Sequence, residues 1–174
     1  MLIRVRLGGI IGENNYSTIS WCYNLGNISG GYAGGIVGYN DSTSAKSGDS
    51  TVIRCYNIGN IYATSYAGGI VGYNYGYINY STNGTENLTG SYRGGIAGYC
   101  INSGVTSCYY LKNTTSINGR GKLHSSGNLN AGCIAQTVVT MPSIIDVVGN
   151  NFVEDTNNIN NGYPILAWQV EKSE

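Results

Sequence analysis

The apolar positions of this chain fall in short runs punctuated by glycine, and one run is written four times. Gly8-Gly9-Ile10-Ile11-Gly12, Gly34-Gly35-Ile36-Val37-Gly38, Gly68-Gly69-Ile70-Val71-Gly72 and Gly94-Gly95-Ile96-Ala97-Gly98 share one pattern. Their starts lie 26, 34 and 26 residues apart. The longer interval holds Asp41 to Ser50 (DSTSAKSGDS), a polar stretch that reads as a loop inserted into a constant unit. A second motif follows each first one: Ile19 to Ile28 (ISWCYNLGNI), Ile53 to Ile61 (IRCYNIGNI), a degenerate Ile78 to Gly84 (INYSTNG), and Val105 to Tyr110 (VTSCYY).

No apolar period of 3.6 residues runs through these units, and their glycines disfavour helix. Short β-strands separated by Gly and Asn turns remain, at a period within the solenoid range. One unit of two or three short strands cannot bury its own apolar face. Copies stacked at about 4.8 Å share a continuous core. The expected fold is therefore all-β, a parallel β-helix or β-solenoid of about four rungs over residues 1–114. Equivalent residues should stack in columns. Ile10, Ile36, Ile70 and Ile96 are expected to point inward, and alternation then places Val37 and Tyr39 on the opposite face. Cys22, Cys55 and Cys108 form a second column, with Tyr80 in the third unit's place. Asn24 with Asn57, and Asn27 with Asn60, sit where amides hydrogen-bond along the axis.

Beyond about Thr115 the period is lost, and residues 115–174 read as a C-terminal capping segment. Met141 to Gly149 (MPSIIDVVG) has a proline near a helix start and a terminal glycine, which predicts a short helix. A closing strand is expected around Tyr163 to Gln169. The N-terminus lacks a comparable cap, and an exposed apolar end is an aggregation edge, which suggests that native sequence of a longer surface chain has been lost upstream.

Composition narrows the function classes. Charged residues are 10% of 174, and the 9 basic and 9 acidic side chains balance to a net charge of zero. No local excess of Lys and Arg offers a phosphate-binding surface, so nucleic acid is not an expected partner. No stretch approaches the roughly 18 to 20 continuous apolar residues of a membrane helix, so membrane insertion is not expected. Glycine (27) and tyrosine (16) are abundant, but the regular Ile and Val positions separate this chain from disordered low-complexity sequence. Five cysteines, an odd number without a CxxC pair, indicate neither a disulfide framework nor a zinc site.

The pair GGIVGYN and CYNxGNI, here Gly34 to Asn40 with Cys55 to Ile61, resembles the GLUG-motif repeat of bacterial cell-surface proteins. That family includes noncatalytic regions of some immunoglobulin-A-cleaving metallopeptidases. The resemblance covers about residues 7–114, and the third unit's second motif departs from the pattern. The C-terminal part is similar to the segment that often ends such arrays, through Cys108-Tyr109-Tyr110-Leu111 and Asn161 to Gln169 (NGYPILAWQ). It implies an exported, repetitive module located outside the cell or on its surface and assigns it no ligand; no cofactor is expected.

Candidate chemistry is sparse. The single histidine, His124, lies in a Gly/Ser-rich stretch, and neither HExxH nor GxSxG occurs. Carboxylates are scattered over an insertion, a turn and the tail, whereas a polysaccharide-cleaving β-helix needs two groups about 5 to 10 Å apart. A lyase or hydrolase of that kind is the alternative from another class. Calcium at Asp41/Asp49 or at Glu154/Asp155 is a weaker reading than simple solvation. Cysteines on successive rungs have parallel Cβ vectors, which favours buried free thiols over disulfides. Sequons such as Asn27-Ile28-Ser29 follow from composition. The remaining surface candidates are two tyrosine columns, Tyr39/Tyr73/Tyr99 and Tyr32/Tyr66/Tyr92. Either they shield the sheet, or they offer a stacking platform to a glycan or host surface protein. Catalytic and metal-ligating residues are not expected.

Overall fold

The computed structural model describes residues 5–42, 49–101, 103–112, 117–137, 140–142 and 152–170. Each coil passes in turn through four parallel sheets, so a unit holds four short strands and not two or three. The first sheet stacks Arg6–Gly8, Ile28–Gly34, Ile61–Gly68 and then Leu88–Thr89 with Tyr92–Gly94. The second stacks Ile11–Asn15, Val37–Asp41, Val71–Asn74, Ala97–Cys100 and Arg120–Leu123. The third stacks Thr18–Ser20, Thr51–Ile53, Tyr77–Asn79 and Gly104–Thr106. The fourth stacks Tyr23–Asn24, Tyr56–Asn57, Thr82–Asn83, Cys108–Leu111 and Cys133–Gln136. Register pairs like with like, Val37 with Val71 and Tyr56 with Tyr23. The fold is thus the parallel β-solenoid the repeat predicts. Stacking continues past residue 114, where Arg120–Leu123 and Cys133–Gln136 extend the second and fourth sheets without any repeat in the sequence.

The Gly-Gly-Ile segments are corners, not strands: Gly35 and Ile36 bend the chain from the first sheet into the second. A Cβ on Gly35 would lie 2.2 Å from Gly69 O and 2.3 Å from Asn57 Cγ. Ile36, Ile70 and Ile96 are fully buried, but Ile10 is 45% exposed. Its amide bonds Ile36 O on one side, and no described coil lies on the other. Val37 and Val71 join the same core as Ile36 and Ile70, which corrects the expected alternation: a corner residue has no strand parity to pass on. Gly38 instead approaches the first sheet, where a Cβ would lie 2.6 Å from Leu7 N.

The third-to-fourth-sheet corner explains the cysteines. The residue before each one is left-handed: Trp21, Arg54 and Ser107 have φ of 59°, 53° and 49°, and Tyr80 has 48°. Such backbone costs about 1 to 2 kcal/mol for a side chain with a Cβ. Each following side chain bonds back across the corner to the carbonyl two residues earlier. Cys22 Sγ reaches Ser20 O at 3.2 Å, Cys55 Sγ reaches Ile53 O at 3.3 Å, and Cys108 Sγ reaches Thr106 O at 3.4 Å. In the third coil Ser81 Oγ makes the same bond to Asn79 O at 3.0 Å. Ser81, not Tyr80, therefore occupies the cysteine column, since a small side-chain donor is what the corner needs. Tyr80 falls in line with Trp21 and Arg54, and the Arg54 guanidinium lies 5.3 Å and 5.6 Å from their two ring centroids.

Asparagine ladders run along two further corners. Asn24 Nδ2 donates to Asn57 Oδ1 at 2.8 Å, and Asn57 Nδ2 to Asn83 Oδ1 at 3.0 Å. The expected Asn24/Asn57 column thus gains Asn83. At the Asn27/Asn60 corner the link is Asn60 N to Asn27 Oδ1, at 3.0 Å. A ladder the repeat reading missed joins Asn14, Asn40 and Asn74 at 2.9 and 2.7 Å.

The C-terminal segment lies along the outer face of the fourth sheet. Met141, Phe152, Tyr163, Ile165 and Leu166 pack on Tyr56, Tyr109 and Leu111. Tyr56 OH donates to Gln169 Oε1 at 3.0 Å. Phe152–Val153 pairs antiparallel with Ile165–Leu166, and a 3-10 turn, Ala167–Gln169, completes the expected closing strand region. Most of the expected helix lies outside the described residues.

Candidate functional site: the tyrosine columns

Tyrosine enters both arms of the Gly-Gly-Ile corner at fixed distance, two residues before the first glycine and three after the isoleucine. Register then aligns Arg6, Tyr32, Tyr66 and Tyr92 on the first sheet. On the second it aligns Glu13, Tyr39, Tyr73, Tyr99 and Lys122. The structure brings all six predicted tyrosines together, but not as two separate columns. Their rings interleave across the two sheets: Tyr32 stacks on Tyr73 with centroids 5.3 Å apart, Tyr66 meets Tyr73 edge-on at 5.2 Å, and Tyr66 lies 5.1 Å from Tyr99. Along the second sheet Tyr39 to Tyr73 is 5.1 Å and Tyr73 to Tyr99 is 4.8 Å. These are ordinary aromatic pair distances, each contributing about 0.5 to 1.5 kcal/mol beyond burial.

Interleaving closes most of the platform. Tyr32 and Tyr99 are buried, at 6% and 8% exposure, and Tyr39, Tyr66 and Tyr73 are half-buried. Tyr92 alone of the six is exposed, at 39%. Uniform outward display, as alternation suggested, is thereby corrected: the facing sheet covers the rings. Burial pushes the Tyr39 hydroxyl up to about 12, with Asp41 adding to the rise. Tyr73 is raised as well, first by burial and then by its hydrogen bond with Tyr75.

Cations close both ends of the cluster. Arg6 sits over Tyr39 at 3.9 Å and pairs with Glu13. Lys122 Nζ lies 4.3 Å from the Tyr92 ring centroid and donates to its hydroxyl at 3.2 Å. His124 is exposed, with Nδ1 3.2 Å from Tyr99 OH. Arg6 stands where Tyr32 stands relative to its glycines, so that end was visible in the sequence. Lys122 and Tyr75 were not, because the fifth coil lacks the motif and Tyr75 lies outside it.

Other candidates resolve into local structure. Asp155 accepts from Ile159 N, Asn160 N and Gly162 N at 2.6, 2.6 and 3.0 Å, so its carboxylate organises a loop. Among the described residues no group of three or more His, Cys, Asp or Glu side chains is arranged to hold a metal ion. All five cysteines are free thiols, and burial pushes Cys108 up to about 12. Cys22 is lowered to about 7 by its hydrogen bond with Cys55, against partial burial. No protein-family model matches the chain, and no curated protein or solved structure matches it either.

Proposed function

We propose that this chain is a noncatalytic β-solenoid module of a bacterial surface protein, acting outside the cell chiefly as a rigid spacer. The observation that carries the reading is the consumption of its repeated side chains by internal contacts. Tyrosines stack on tyrosines, asparagines bond asparagines, and thiols cap corner carbonyls, so repetition is spent on stiffness along the axis. The likeness of Gly34 to Asn40 and Cys55 to Ile61 to GLUG-type repeats supports the surface location. The scatter of carboxylates along the sequence speaks against the polysaccharide-cleaving alternative, which needs two in one groove.

Adhesion is the second reading, favoured by exposed Tyr92 beside Lys122 and His124, a rim suited to a glycan or a host surface protein. One experiment separates the two. Replacing Tyr39, Tyr73 and Tyr99 together by Ala should lower the melting temperature by roughly 10 °C or more, given half-buried to buried rings. The purified chain should then show no tyrosine-dependent signal on glycan and host-protein arrays. A ligand whose binding disappears in Tyr92→Ala while that variant's melting temperature stays within about 3 °C of the wild type would overturn the spacer reading.

A further inference from the structure

The second sheet's inward column reads Ile11, Val37, Val71, Ala97 and then Arg120. An apolar core position thus becomes a guanidinium in the fifth coil. The asparagine ladder has already ended one coil earlier, because Cys100 and then Leu123 follow Asn74. Arg120 is only 9% exposed. Its Nη2 donates to Asn128 O at 2.5 Å, while Nε is buried without a hydrogen-bond partner, as is Ser103 Oγ nearby. Among the described residues the one ion pair is Arg6 with Glu13, so no described carboxylate balances Arg120. Burial holds the Cys100 thiol above its ordinary range, against the opposing pull of Ser103 and Arg120 beside it.

Arg120 lines a cavity of about 230 Å³ whose wall includes Cys100, Ser103 and Leu123 and whose mouth is the exposed loop Ser125 to Asn128. A buried, unpaired charge costs several kcal/mol, and a partner of opposite sign removes much of that cost. Guanidinium donors are arranged to take two oxygens of one group, and the serine hydroxyls add neutral donors. The volume is below the range for drug-sized ligands, which suits a single group on a small molecule.

We infer that the Arg120 cavity binds an oxyanion, the carboxylate of an acidic sugar or a sulfate or phosphate group. The site lies in the core of the fifth coil and is independent of whether the tyrosines bind. Amide NMR on the whole chain tests it by titration with glucuronate, sulfate and inorganic phosphate. Chloride at matched ionic strength and neutral glucose serve as references. Saturable shifts confined to Cys100, Ser103, Gly121 and Ser125 to Asn128 are expected with at least one oxyanion, and the order of affinities distinguishes carboxylate from sulfate or phosphate. Arg120→Met restores an apolar column and should weaken binding roughly tenfold to a hundredfold. Should that variant not fold, Arg120→Lys serves instead, with an expected loss of roughly tenfold because an ammonium lacks the planar fork. Shifts no larger than those with chloride, or equal affinity in wild type and variant, would overturn the proposal.

Discussion

Asn57 offers the sharpest test of how the coils are held together. Its side chain is fully buried and makes four hydrogen bonds. Nδ2 donates to Asn83 Oδ1 at 3.0 Å and to Gly59 O at 2.9 Å, while Oδ1 accepts from Asn24 Nδ2 at 2.8 Å and Gly59 N at 3.1 Å. Asn57→Ala removes all four. Asn24 Nδ2 keeps Gly26 O and Asn83 Oδ1 keeps Thr85 N, so neither neighbour is fully orphaned. Gly59 loses both links to this side chain, inside a turn that buries it. At about 0.5 to 1.5 kcal/mol net per bond, the expected loss is about 2 to 6 kcal/mol. Asn27 is the internal control, since it is exposed and the bond it accepts from Asn60 N lies at the surface. Asn27→Ala should cost under about 1 kcal/mol. Urea unfolding followed by circular dichroism reads both, with the midpoint moving and the slope unchanged if the native state keeps its shape. Equal costs for the two variants, or a loss below about 1 kcal/mol for Asn57→Ala, would refute the ladder as a source of stability.

Ile70→Ala empties a fully buried corner between Ile36 and Ile96 and should cost about 2 to 5 kcal/mol, whereas Ile10→Ala, at a 45% exposed site, should cost under about 1 kcal/mol in the same assay. Gly69→Ala should yield no soluble folded protein or a large drop in melting temperature, because its Cβ would lie 2.1 Å from Gly95 O and 2.2 Å from Asn83 Nδ2. Tyr39 ionises at about 10 when unfolded and about 12 when folded, so its contribution is present below pH 10 and is lost as pH rises toward 12. Melting temperatures across that window should fall, and by less in Tyr39→Phe; an identical alkaline profile in the variant contradicts the assignment.

Periodicity alone determined the solenoid, the buried stacking of Ile36, Ile70 and Ile96, the alignment of Cys22, Cys55 and Cys108, and the Asn24/Asn57 ladder. In a stacked fold, neighbours in space are residues one repeat apart, so similarity along the chain is contact in the structure. What the sequence could not supply was the path within a coil. Strand alternation carried from Ile36 put Val37 on the wrong face because a corner interrupts the parity. Nothing local marks Ser81 as the partner of Cys55 until register aligns them. The tyrosines recur visibly, yet only the packing of one sheet against the other decides that Tyr32 and Tyr99 are buried while Tyr92 is not. Arg120 is the extreme case: beyond residue 114 no motif survives, and only hydrogen bonding to Ala97 and its neighbours places a charge in an apolar column. Side-chain identity repeats in the sequence, but burial depends on which surfaces meet, and that is a property of the whole coil.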